Sequence, residues 1–220
     1  LNMTNETDED KTAIAVAVFD KNAELYSQKY MDVSIYYDSL DLFCDLIKIQ
    51  NADIIDLACG PGNVTKYLLD KRPDFKMLAT DLSPKMLEIA KEHNPSATFS
   101  LLDCKDIDQL EGSYDGIMCS FAFPYLSKEE VNRFLKDVTN VMKEDGVIYI
   151  STMEDNNLNS GWESGSTGDK IFMNYHEESY LISNLKENNF EIIDLSRITY
   201  PGKADKMIVD LIIIAKLTMK

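Results

Sequence analysis

With 220 residues, 45% of them apolar and 27% charged, the chain is long enough for one globular domain with a sizeable core. A formal net charge of −16 excludes nucleic acid as the main partner, because such binding rests on lysine and arginine neutralising phosphates. Cys44, Cys59, Cys104 and Cys119 form no CxxC pair, and the longest apolar run is broken by Asp210; no zinc site, disulfide framework or membrane span is expected, and a metal-independent, cytoplasmic protein is.

Residues 1–12 are polar and acidic and are expected to be a disordered tail, leaving 13–220 as one domain with a helical cap over 13–50 and a core over 51–220. Phe19, Ala23, Tyr26 and Tyr30 share a face at helical spacing, as do Tyr36, Leu40, Phe43, Cys44 and Ile47, so two helices precede the first strand at 53–58. A helix is expected from Asn63 to Leu69 and a second strand over 76–80. Ser83 and Pro84 then supply an N-cap and an N1 proline for a helix carrying Met86, Leu87 and Ala90. Strands follow at 98–102 and 116–120. Ser127 and Glu130 form a capping box ahead of Val131, Phe134 and Leu135, and Asp145-Gly146 turns into a fifth strand at 147–152. After a helix near 178–187, strands at 191–199 and 207–215 flank a Pro201-Gly202 turn and should pair antiparallel. Seven strands alternating with helices in this way predict an α/β, doubly wound, mostly parallel sheet with an antiparallel C-terminal hairpin and an N-terminal helical cap.

Ligands of such sheets lie beyond the carboxyl ends of the strands. The first end reads Asp56-Leu-Ala-Cys-Gly60-Pro-Gly62-Asn63, a glycine turn that lets the backbone approach a nucleotide-like ligand, followed by helical N–H groups. Asp81, 19 residues past Gly62, sits where a carboxylate can accept from two ribose hydroxyls. Asp103 can accept from an exocyclic amino group, and the Cys104 amide can serve a ring nitrogen. Each carboxylate has a plainer role as a helix cap; three at successive strand ends point to a nucleoside.

The string Asp-Leu-Ala-Cys-Gly-Pro-Gly-Asn, with Ala-Thr-Asp-Leu-Ser-Pro-Lys-Met-Leu after it, resembles the class I S-adenosylmethionine-dependent methyltransferases of Rossmann-like fold. The resemblance implies that Gly60 and Gly62, in the loop closing at Asn63, hold the methionine part of S-adenosyl-L-methionine, with Asp56 at its amino end. It further implies that Asp81 holds the ribose and Asp103 with Cys104 the adenine, and that Leu82 and Met86 flank the ring. Ser120 and Phe121 would line the reaction centre, and Tyr26 and Tyr30 would belong to the cap. S-adenosyl-L-homocysteine would be the product. A nicotinamide-binding oxidoreductase is the competing reading, but Thr65 stands where its fingerprint needs a third glycine or alanine. A non-catalytic S-adenosylmethionine sensor would share every cofactor residue.

On the acceptor side, a small-molecule substrate is expected, and the oligomeric state stays open. Tyr125, just past the fourth strand, and His176, with its neutral-range pKa, are the candidate catalytic residues. The long connection 154–176 is either a substrate lid or a disordered loop, and it holds Trp162 and Tyr175. Tyr30, Trp162 and Tyr175 are the candidate lid residues.

Overall fold

A computed structural model of the chain describes residues 7–165, 167–202 and 206–218, apart from the Glu9 side chain. The elements run α1 (Asp8–Lys21), α2 (Ala23–Tyr30), α3 (Tyr37–Leu46), β1 (Asp53–Leu57), α4 (Asn63–Lys71), β2 (Lys76–Asp81), α5 (Pro84–His93), β3 (Thr98–Leu101) and β4 (Tyr114–Ser120). They continue with α6 (Lys128–Val141), β5 (Met142–Met153), β6 (Gly161–Ser164), β7 (Lys170–Met173), α7 (Glu178–Glu187), β8 (Phe190–Pro201) and β9 (Met207–Leu217).

Seven strands form one sheet in the order β3-β2-β1-β4-β5-β9-β8. The first five are parallel, and β9 runs antiparallel to both β5 and β8, closing the expected C-terminal hairpin. The doubly wound α/β reading therefore holds. Strands β1 and β4 are buried along nearly their whole length, because helices cover both faces of a parallel sheet. One layer of core joins α6 and α7 to Ile55, Ile117, Ile148 and Ile213; the other joins α3 and α4 to Ile54, Met118, Tyr149 and Ile212.

Two expectations need correction. Residues 7–12 are no tail. Thr7 and Asp10 make a reciprocal capping box, and α1 begins at Asp8; residues 1–6 lie outside the described residues. The cap thus holds three helices where two were expected, with α1 and α2 separated at Asn22. Of the two alternatives for the 154–176 connection, the disordered loop does not hold over its described part: β6 and β7 pair as a separate antiparallel hairpin, Gly161 opposite Met173 and Ser164 opposite Lys170. Asp169 ties that hairpin to the cap, accepting from Lys21 Nζ at 2.9 Å and from Asn22 Nδ2 at 3.1 Å.

Candidate active site

At the end of β1 the chain enters the left-handed region, with φ of 55° at Ala58, 53° at Gly60 and 77° at Gly62. The two glycines serve different purposes. A Cβ on Gly60 would meet nothing nearer than Tyr26 Cε1 at 4.0 Å, whereas one on Gly62 would lie 2.4 Å from Asn94 Nδ2 and 3.1 Å from Ala90 Cα. Gly60 leaves room on the ligand side; Gly62 lets α4 start against α5, where Asn94 Nδ2 donates to the Gly62 carbonyl at 3.0 Å. The Gly60 N–H donates to Asp81 Oδ2 at 2.8 Å, and the Ser83 N–H donates to Asp81 Oδ1 at 2.8 Å. One carboxylate therefore clamps the ends of β1 and β2 together.

Around this clamp lies a cleft of about 770 Å³, counting its open mouth. Its floor comes from four successive strand ends: Ala58 and Gly60, Asp81 and Leu82, Leu102 to Cys104, and Ser120 with Phe121. Met86 closes one side, and Tyr26 and Tyr125 form an aromatic wall with Phe19, whose ring is 5.6 Å from Tyr26 and 5.1 Å from Tyr125, edge on in both cases. Phe121 also has a left-handed backbone (φ 55°), held by its N–H donating to the Ser151 carbonyl at 3.0 Å. Strained residues thus end β1 and β4 on either side of the cleft, a pattern that concentrates at ligand sites.

Burial pushes the Asp81 carboxyl above the ordinary carboxylate range, opposed by the N–H donors of Ser83, Gly60 and Leu82. Burial likewise raises the phenols of Tyr26 and Tyr125 and the Cys104 thiol, so all three stay neutral. Asp103 accepts from the Lys105 N–H at 2.9 Å, and Lys105 Nζ bridges it to Glu130 at 3.6 and 3.0 Å.

The structure brings together Tyr26, Gly60, Asp81, Leu82, Met86, Asp103, Cys104, Ser120, Phe121 and Tyr125 at the cleft. Other candidates fall outside its lining. Asp56 is buried beneath the turn, accepting from Thr65 Oγ1 at 2.6 Å, and burial pushes its carboxyl up to about 7. The side-chain amide of Asn63 is spent on structure, donating to the Tyr30 carbonyl and accepting from the Val64 N–H, each at 2.8 Å. Tyr30 is 41% exposed and packs against Tyr26, ring centres 4.4 Å apart.

His176 also sits away from the cleft. It is fully buried, with Nε2 against the Phe123 carbonyl at 2.9 Å and its ring stacked on Tyr180. Burial lowers its pKa, and Nδ1 has no hydrogen-bond partner among the described residues. Trp162 lies on β6 against Phe172, and Tyr175 is buried and bonded through its hydroxyl to Glu163. The hairpin aromatics pack on the protein itself, not into the cleft.

The cleft wall that sequence reasoning missed is α1. Thr12, Ala15, Val16 and Phe19 line the cleft at helical spacing. Their i, i+3, i+4, i+7 pattern and the Thr7–Asp10 box were the available signals.

A doubly wound sheet of this strand order, with a glycine turn after β1 and carboxylates ending β2 and β3 at one cleft, defines the class I methyltransferase architecture. Residues 54–146 match a family model described as a methyltransferase domain. Over those residues the chain is similar to methyltransferase domains. It is 30% identical over 141 residues to a malonyl-[acyl-carrier protein] O-methyltransferase of Acetivibrio thermocellus, covering 61% of this chain and 47% of that one. It is 28% identical over 142 residues to a demethylmenaquinone methyltransferase of Thermotoga maritima, covering 62% and 60% respectively. The chain thus spans about half the length of the curated relatives it matches. Among solved structures, a Burkholderia thailandensis 1,6-didemethyltoxoflavin-N1-methyltransferase, with 1,6-didemethyltoxoflavin and S-adenosylhomocysteine bound, superposes with a TM-score of 0.72. That match covers 100% of this chain and 94% of the other at 17% identity, a likeness of fold.

Proposed function

We propose that this domain binds S-adenosyl-L-methionine in the cleft and catalyses transfer of its methyl group to a small-molecule acceptor by in-line displacement, without a metal. The observation that carries the reading is the convergence of Gly60, Asp81, Asp103 and Phe121, from four strand ends, on one cleft. The donor set fits the cofactor. Asp81 presents a carboxylate for the ribose hydroxyls, the Gly60 turn leaves the methionine end free of a Cβ, and Leu82 with Met86 offers apolar faces to the adenine. Bound there, the cofactor supplies a methyl group already activated on a sulfonium. The chain's own work is then to orient an acceptor and exclude water. Phe19, Tyr26 and Phe121 present aromatic faces that favour a cation at the reacting end. Tyr125 stands at the same end as a neutral hydrogen-bonding phenol.

The names of the relatives support a small-molecule acceptor, and a net charge of −16 is consistent with a partner other than nucleic acid. Among the described residues no helix is long and apolar enough to cross a membrane, and no group of three or more His, Cys, Asp and Glu is arranged to hold a metal ion. Calorimetric titration with S-adenosylmethionine and S-adenosylhomocysteine tests the reading. Both are expected to bind, and NAD to bind more weakly or not at all; tighter binding of NAD would overturn it. Transfer of labelled methyl groups into a metabolite extract separates an enzyme from a sensor.

A further inference from the structure

We propose that Tyr36, Tyr200 and Asp210 form the acceptor subsite, and that this subsite takes a neutral or cationic compound whose reacting nitrogen or oxygen carries a hydrogen, and rejects carboxylates. The proposal rests on the cleft being the S-adenosylmethionine site. None of the three residues lines that cleft.

Asp210 interrupts the apolar run of β9 and is fully buried, a costly place for a carboxylate unless its hydrogen bonds are met. It pairs with Met153 at the carboxyl end of β5, the same sheet edge onto which the cleft opens. The Tyr36 hydroxyl donates to its Oδ2 at 2.7 Å and the Tyr200 hydroxyl to its Oδ1 at 3.3 Å. Tyr36 belongs to the turn ahead of α3, and Ser39 fixes that turn by donating to the Tyr36 carbonyl at 2.9 Å while its Oγ lies 3.1 Å from the Tyr149 hydroxyl. The Tyr36 ring packs edge-on to Phe121, centres 5.6 Å apart, and Phe121 lines the reacting end of the cleft. The network therefore adjoins the methyl end and not the adenine end. Both tyrosines are half-buried, so a ligand meets the phenols before the carboxylate.

The chemistry of the group sets the preference. Each phenol has one hydrogen and gives it to Asp210, so what remains on each oxygen is acceptor capacity. That capacity matches an N–H or O–H group. A carboxylate has no hydrogen to offer, and Asp210 would repel it. The cleft offers no relief: Asp81 and Asp103 are there, and no Lys, Arg or His lines it among the described residues. In the transfer, the acceptor's lone pair forms the new bond to the methyl carbon as the carbon–sulfur bond breaks and its electron pair stays on sulfur. The acceptor's proton passes to Tyr36 Oη while the Tyr36 proton moves to Asp210 Oδ2. Burial, which holds the Asp210 carboxyl above its ordinary range, makes it a stronger proton acceptor than an exposed aspartate. Tyr36 is thus the catalytic group, and Asp210 and Tyr200 are positioning residues.

The test uses protein saturated with S-adenosylhomocysteine, titrated calorimetrically with phenylethylamine and catechol and, separately, with malonate and citrate. The amine or the catechol is expected to bind and the carboxylates not. Tyr36→Phe should weaken that binding about tenfold, as loss of one hydrogen bond does, with S-adenosylhomocysteine affinity unchanged. In labelled-methyl assays with the probe that binds, Tyr36→Phe should lower kcat by about 100-fold and raise KM about tenfold, in step with the weaker binding. Tyr200→Phe, equally isosteric, should give a smaller effect in the same direction. Tighter binding of the carboxylates, no binding of either donor probe, or an unaffected Tyr36→Phe protein would each overturn the subsite. Failure of the wild-type protein to bind S-adenosylhomocysteine would overturn instead the cofactor reading beneath it, and the subsite with it.

Discussion

The Thr65 hydroxyl donates to Asp56 at 2.6 Å, entirely out of contact with solvent. These are the two positions that most clearly separate the β1 turn from a dinucleotide fingerprint. They turn out to be one interaction: the acid four residues before Gly60 is satisfied by the residue that replaces the third glycine. Asp56 therefore supports the turn from below and is not among the residues that line the cleft.

That burial has a pH consequence. The Asp56 carboxyl stands at about 7 in the folded protein, above the ordinary value of 3.8. Between those limits the folded state holds a proton that the unfolded state has lost, so this residue's contribution to stability falls as pH rises, by about 1.36 kcal/mol per pH unit at most. Above pH 7 the full cost is present. Asp56→Asn keeps an acceptor for Thr65 and removes the titration. Its stability relative to wild type, from urea unfolding at about pH 5 and about pH 8, should rise with pH; a constant difference would mean that Asp56 is ionised throughout.

Asp81→Ala should weaken S-adenosylhomocysteine binding by about 1.5–3 kcal/mol, the range for hydrogen bonds to a charged acceptor. It also frees the Gly60 and Ser83 N–H groups, so Tm should fall as well. An unchanged affinity by calorimetry would leave Asp81 as a clamp and nothing more.

The two glycines of the turn should respond in opposite ways. Gly62→Ala places a Cβ against Asn94 and Ala90 in a left-handed backbone and should cost about 2–4 kcal/mol of stability. Gly60→Ala meets open space, costs about 1 kcal/mol of backbone strain, and should act mainly on cofactor affinity. Thermal unfolding with calorimetry on both variants checks the split.

Asp169 joins the β6–β7 hairpin to α1 through Lys21 and Asn22, and α1 is one wall of the cleft. Asp169→Ala breaks a surface pair, so Tm should hardly move. Release of S-adenosylhomocysteine, followed by stopped-flow, should nevertheless quicken. An unchanged rate would show that the hairpin does not restrain the wall.

How much of this was legible depended on the range of the interaction concerned. The alternation of apolar strands with capped helices, the Gly60–Gly62 turn, Ser83-Pro84 and the Ser127–Glu130 box are local patterns, and each appears where its residues place it. The same holds for Asp81, Asp103 and Phe121, because a strand end in a parallel sheet has only one edge to face. The start of α1 was misread because the acidic residues Asp8, Glu9 and Asp10 resemble a tail, although Thr7 and Asp10 form a capping box there. His176 and Trp162 were misplaced for a different reason: whether a side chain on a connection enters a cleft or the core depends on what packs over it. Asp210 is the sharpest case. Sequence by itself marked it only as a charge interrupting a hydrophobic strand; its meeting with Tyr36, 174 residues away, exists only once β9 lies beside β5 under the cap. Short-range hydrogen bonding and periodicity determined the fold and the strand-end cleft from the residues alone, while long-range packing decided the partners of Asp210 and His176, since buried polar partners are chosen by the tertiary structure that excludes water from them.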